Sequence, residues 1–205
     1  MSAAASPQDR YTYDPGDPTP EPGFYEPSAE DKANKRPAQI ARDGEQHRDE
    51  TLATRQDILV YTTAPMDAPL TIAGPLTAVL YASTSARDTD WFVHIYEVDE
   101  AGHPWPLIAD GSGKIRARFR KSVTAPELLK PGEVYQYTID LWHTGVTIAK
   151  GHTLRIEIAS ASFPSFSRNL NTGGNNETET KFVRANQVIY HDAAHPSHIL
   201  LPVIP

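Results

Sequence analysis

The sequence predicts an all-β protein, two antiparallel sheets packed as a sandwich or jelly roll behind an extended N-terminal tail. Three observations carry this reading. From Asp57 onward, short runs rich in Val, Ile, Tyr and Thr are separated by Pro, Gly and Asp, the punctuation of strands and turns. Several of these runs alternate apolar and polar residues with period two, the mark of a half-buried strand. No stretch carries an apolar stripe at helical spacing over three turns. The 205 residues suffice for one domain with a real core plus a tail.

Taken in order, the chain starts with a proline-rich stretch that holds seven of the 18 prolines within residues 1–37. Proline fixes φ and removes a donor, so an extended segment is expected here. Residues 30–57 carry 13 charges among 28 positions and few large apolar side chains. Alone they bury too little to offset their ordering entropy; they must either stay loose or lie across another surface. We therefore divide the chain into a tail, 1–54, and a β-sandwich, 55–205.

Strands are predicted near 57–62, 76–83, 91–98, 114–120, 135–141, 144–148, 154–158, 184–191 and 198–204. In Lys114 to Arg120, Ile115, Ala117 and Phe119 face one way and basic residues the other. Tyr135, Tyr137, Ile139 and Leu141 repeat the pattern, as do Leu154, Ile156 and Ile158 opposite Arg155 and Glu157. Leu76–Ser83 and Trp91–Val98 are apolar on both faces, as expected of central strands. Leu128 and Leu129 fit one helical turn ahead of Pro131 and Gly132.

Composition excludes several functions. Nineteen Lys and Arg against 26 Asp and Glu give a net charge of −7, which argues against nucleic acid or an anionic membrane as partner. With no cysteine there are no disulfides, thiol nucleophiles or Cys-ligated metals. No apolar run approaches the roughly 20 residues that span a bilayer, and no secretory signal opens the sequence. A soluble, cytoplasmic protein is expected.

Catalytic motifs are missing as well. Gly111-Ser-Gly113 lacks the spacing of a Gly-x-Ser-x-Gly nucleophile elbow and reads as a turn. His191, His195 and His198 lie close in sequence with Asp192, but their spacing fits neither a helical nor a paired-strand metal site; they read as turn caps. Asp88 and Asp90 lack the further oxygens that calcium requires and read as partners for backbone N–H groups or for Arg116, Arg118 or Arg120. No catalytic residue, metal or cofactor is expected. The long loop Ser160 to Gly174 holds Phe163, Phe166, Arg168, Asn169 and Asn171, side chains that interfaces use. Trp105, between two prolines, is expected to be exposed.

Read in order, these segments resemble a known family. Arg55-Gln-Asp-Ile-Leu-Val-Tyr61, Ala86-Arg-Asp-Thr-Asp-Trp91, Ile115-Arg-Ala-Arg-Phe-Arg120, Leu129-Lys-Pro-Gly-Glu-Val-Tyr135, Gly151-His-Thr-Leu-Arg-Ile-Glu-Ile158 and Phe163-Pro-Ser-Phe-Ser-Arg-Asn-Leu-Asn171 are similar to the C-terminal non-catalytic domain of X-Pro dipeptidyl-peptidases and cocaine esterase-like serine hydrolases. Tyr13-Asp-Pro-Gly-Asp-Pro-Thr-Pro-Glu-Pro22 resembles the connector that follows their hydrolase domain. The resemblance implies a jelly-roll, galactose-binding-like sandwich without triad residues. It implies a domain that packs on an α/β-hydrolase and helps shape its active site; we expect that partner to be separately encoded, with self-association as the other contact. Asp88, Asp90, Trp91, Trp105, Phe163, Phe166, Arg168, Asn169 and Asn171 are the candidate interface or ligand residues, with the tail 1–55 and loop 162–174 as the expected docking surface. The alternative is a free-standing sandwich that binds carbohydrate or another small ligand through Trp91, Trp105 or Trp142.

Overall fold

The computed structural model describes residues 6–21, 27–108 and 112–204. Among these residues eleven strands, paired antiparallel, form two sheets. The first contains β1 (Gln8–Tyr13), β3 (Leu70–Thr84), β7 (Tyr135–Ile148), β9 (Ala185–Tyr190), β10 (His198–Leu200) and β11 (Val203–Ile204). The second contains β2 (Leu59–Thr62), β4 (Asp90–Val98), β5 (Pro104–Pro106), β6 (Ser112–Arg116) and β8 (Thr153–Ala159).

Each sheet is built around one long apolar strand. β3 pairs along one edge with β7 from Leu70 to Ala82. Its other edge is shared by β9 at Tyr81–Thr84, β10 at Thr77–Val79 and β11 at Thr71 and Ile72. β4 does the same with β8 on one side and β6 and β5 on the other. This central position explains why both strands are apolar on both faces. Trp91, Val93 and Ile95 of β4 enter the core between the sheets with Tyr137, Ile139 and Leu141 of β7. Their neighbours Phe92, His94 and Tyr96 point the other way and are still buried.

The structure corrects several boundaries. The two runs expected at 135–141 and 144–148 are one strand, β7. Its pairing with β3 shifts register between Pro75 and Thr77, and Trp142 opposite takes φ 66 with its N–H donating to Asp140 Oδ1 at 2.8 Å. This bulge accommodates Pro75, which cannot donate to the ladder. The run 114–120 is a strand only to Arg116, and Ala117–Phe119 form a 3-10 turn. Gly111 lies outside the described residues, but Ser112 and Gly113, expected in a turn, open β6. A Cβ on Gly113 would meet Leu141 Cδ2 at 2.2 Å and the Asp140 carbonyl at 2.9 Å, so glycine lets β6 approach β7 closely. The expected helical turn at Leu128–Leu129 is absent; Leu129 is buried and donates its N–H to the Arg87 carbonyl at 2.8 Å.

The tail differs most from expectation. β1 belongs to the first sheet, paired with β9 from Gln8 to Tyr13. Further along, the chain forms α1 (Ala29–Asn34) and α2 (Pro37–Thr54), where no helix was predicted. Ser28 caps α1 by accepting the Asp31 N–H at 3.0 Å. α2 starts with Pro at its first turn, where the missing N–H costs nothing, and Gln39 accepts the Arg36 N–H at 2.8 Å. Lys35 joins the helices through Asp31 and Asp43, at 2.9 and 2.7 Å.

Candidate functional site

The predicted site residues separate into three places. Asp88, Asp90 and Asn169 form one buried cluster at the start of β4. Asp88 accepts the Arg118 N–H at 3.0 Å and its Nε at 2.7 Å. Asp90 accepts Arg116 Nε at 2.9 Å and pairs with Lys114 at 3.1 Å. Asn169 Nδ2 bridges the two carboxylates at 3.0 and 2.8 Å, and its Oδ1 accepts the Asn171 N–H at 2.9 Å. Arg116 and Arg118 thus hold these aspartates, while Arg120 lies 4.3 Å over the Tyr135 ring and pairs with Glu127. All four carboxylate oxygens are engaged, and both aspartates are fully buried. Such a cluster fixes the loop 160–174 against the β4–β6 pair and has no oxygen left for a ligand.

The second place is the junction of that loop with the connector. Asp14 to Asp17 make a turn, with the Asp17 N–H donating to the Asp14 carbonyl at 3.0 Å and the Gly16 N–H to Asp14 Oδ1 at 2.8 Å. Thr19 to Glu21 then run beside Phe163: the Phe163 N–H donates to Thr19 at 3.0 Å and the Glu21 N–H to Phe163 at 2.9 Å. Arg168 donates to the Pro15 carbonyl at 2.7 Å, and Ser165 bonds Glu21. Thr19 donates to the buried Asp57 at 2.7 Å, and Arg55 clamps Asp57 and Asp17 at 2.7 and 3.1 Å. The connector therefore lies on its own sandwich. Exposed Phe163, Phe182 and Val183 lie on the loop and the segment that hold it; Phe182 sits on the connector turn, its Cζ 2.9 Å from where a Cβ on Gly16 would lie. Phe166 turns inward instead, 5.2 Å from the Phe92 ring, with Lys114 over both.

The tryptophans occupy a third set of positions. Trp91 is wholly buried and packs 5.7 Å from Tyr137; as a core residue it presents no surface to a partner or a sugar. Trp105 and Trp142 are 59% and 61% exposed. Trp105 lies on β5, in a hairpin closed by Asp99, which accepts the N–H groups of Ala101 and His103 at 2.9 Å each.

The three C-terminal histidines do not converge. His195 pairs with Asp192 at 3.3 Å, His198 contacts the Pro196 carbonyl at 2.6 Å, and His191 reaches Asp9 at 3.0 Å. This last pair joins Tyr61, whose hydroxyl donates to the same Asp9 oxygen at 2.9 Å. Burial and the Asp9 carboxylate hold the Tyr61 phenol well above its usual range. The sequence reading missed the group, because Asp9 and His191 are 182 residues apart and share no motif.

The fold and its closed carboxylate cluster define a class: an antiparallel β-sandwich along whose loop 160–174 residues 14–21 are laid. Residues 3–200 match the model of the X-Pro dipeptidyl-peptidase C-terminal non-catalytic domain, and the chain belongs to that family. It is 32% identical over 202 residues to the cocaine esterase of Rhodococcus sp. (strain MB1 Bresler), covering 96% of this chain and 32% of that protein. An α-amino acid ester hydrolase has a similar structure, with TM-score 0.80 and 27% identity over 98% of this chain and 33% of that one. An aminopeptidase from a marine sediment archaeon, Thaumarchaeota archaeon, gives TM-score 0.77 and 28% identity over 100% of this chain and 34% of its own. The chain spans about a third of the length of these relatives. Among the described residues no helix is long and apolar enough to cross a membrane.

Proposed function

We infer that this domain is the non-catalytic packing unit of a cytoplasmic serine hydrolase of the dipeptidyl-peptidase and esterase type. It packs on an α/β-hydrolase domain and shapes the active site of that domain. The observation that carries this is the connector laid along the loop 160–174, with Phe163, Phe182 and Val183 exposed around it. An apolar group with a polar, hydrogen-bonded rim is what a domain interface uses. The reading is supported by the relatives, whose names state hydrolase activity and of which this chain matches only a third. Asp88, Asp90, Asn169 and Asn171 act in it by holding the loop that carries Phe163 and Arg168.

Reconstitution tests this. The purified domain alone should not hydrolyse p-nitrophenyl butyrate or an X-Pro p-nitroanilide. Added to the α/β-hydrolase partner, it should raise turnover at least about tenfold, and Phe163→Glu with Phe182→Glu should abolish the gain while the domain stays folded. Equal activity with and without the domain would reject the reading.

A further inference from the structure

A cleft of about 470 Å³ opens between the sheets on the side where β1, β2, β8 and β9 meet. Its inner wall is aliphatic: Leu80, Ile156, Ile158, Ile189 and Ile199. Leu80, Ile158 and Ile189 belong to the buried core itself, and Ile156 and Ile199 pack against it, so the cleft is an opening into the core and not a surface dimple. Leu80, Ile158 and Ile189 are 2%, 3% and 1% exposed and form its floor, while the part-exposed Ile156 and Ile199 offer the accessible apolar wall. Its volume falls within the roughly 300–1,000 Å³ of small-molecule sites, which combine apolar walls with a few polar groups.

The polar group here is Asp9. Tyr61 and His191 both donate to its Oδ2, at 2.9 and 3.0 Å, and among the described residues nothing donates to Oδ1. The two donors fix the carboxylate from one side and leave its second oxygen open. Among the described residues the lining contains no lysine or arginine; its other polar residues are Ser6, Ser197 and His198. Ser197 is already committed, donating to the Tyr190 carbonyl at 2.5 Å and accepting the Tyr81 N–H at 2.9 Å. His198 donates towards Pro196 at 2.6 Å.

We propose that this cleft binds a small amphipathic amine, its apolar body on Leu80, Ile156, Ile158, Ile189 and Ile199 and its ammonium on Asp9 Oδ1. A hydrophobic wall supplies affinity with little selectivity, whereas a half-satisfied carboxylate rewards a donor and repels an anion. This inference is independent of docking to a hydrolase and stands or falls without it.

Calorimetric titration of the full chain at pH 7.5 with 2-phenylethylamine, 2-phenylethanol and 3-phenylpropanoate tests it. The amine should bind at least about tenfold more tightly than the alcohol, and the carboxylate should not bind. Asp9→Asn should bring amine affinity down to that of the alcohol. Ile199→Trp, which fills the cleft from its rim, should weaken amine and alcohol alike; it serves as the second variant if Asp9→Asn fails to fold. Amine and alcohol binding equally, carboxylate binding best, or no binding at 10-fold excess over millimolar protein would overturn the proposal.

Discussion

The molecule holds two carboxylate groups of opposite character. At the start of β4, Asp88 and Asp90 are fully buried and every oxygen is matched by Arg116, Arg118, Lys114 or Asn169. At the open side of the sandwich, Asp9 is part exposed and one of its oxygens is held by Tyr61 and His191. The first group cannot change partners without losing structure. The second can take a ligand at little cost to the fold. Saturation, more than the residue types present, separates a structural carboxylate from a binding one.

Four substitutions or conditions should sharpen this contrast. Asp88→Ala takes from the part-buried Arg118 its carboxylate, leaving its guanidinium only the Gly174 carbonyl, and should cost about 3–5 kcal/mol, read as a shift in the urea midpoint. A loss below about 1 kcal/mol would mean that the cluster is not structural. Gly113→Ala tests the backbone beside the same cluster: the added methyl meets the Asp140 carbonyl and Leu141 and should cost about 1–3 kcal/mol. Asp9→Asn should change stability by less than about 1 kcal/mol, as expected of an exposed pair, and a loss as large as that of Asp88→Ala would erase the distinction.

The smallest effect concerns pH. The backbone N–H of His103, the largest influence, with further help from the His103 ring, Trp105 and Ala101, holds the Asp99 carboxyl below its usual range. A carboxylate depressed in the folded state contributes stability above its unfolded value, and that contribution fades as pH falls through the folded value. Protection of the Ala101 and His103 amides, measured as exchange relative to the intrinsic rate at each pH, should therefore hold at neutral pH and fall as the solution passes below the ordinary carboxylate range. Asp99→Asn should remove that acid dependence.

Much of the sandwich was legible from alternation. β4, β8 and the first half of β7 follow their period-two or doubly apolar patterns, and Asp88 and Asp90 find arginines from the predicted set. What escaped had physical reasons. The bulge at Pro75 and Trp142 breaks the alternation that would have joined the halves of β7 and extended β3. α2 forms on Ala, Gln, Glu and Arg with a proline start, through propensity and capping in place of an apolar stripe. The aromatic run that contains Trp91 marked a core residue, because large side chains serve the interior as well as a surface. The Asp9 group left no trace in sequence, since only the pairing of β1 with β9 and of β2 with β8 brings its members together.

The central claim, packing on an α/β-hydrolase, is tested most directly by cross-linking mass spectrometry of the tagged chain in cells of its source organism. Cross-links are expected from residues 14–21 and 163–184 to an α/β-hydrolase domain bearing a Gly-x-Ser-x-Gly elbow, and should be lost in the Phe163→Glu, Phe182→Glu variant. Cross-links confined to other proteins, in cells that express such a hydrolase, would contradict it.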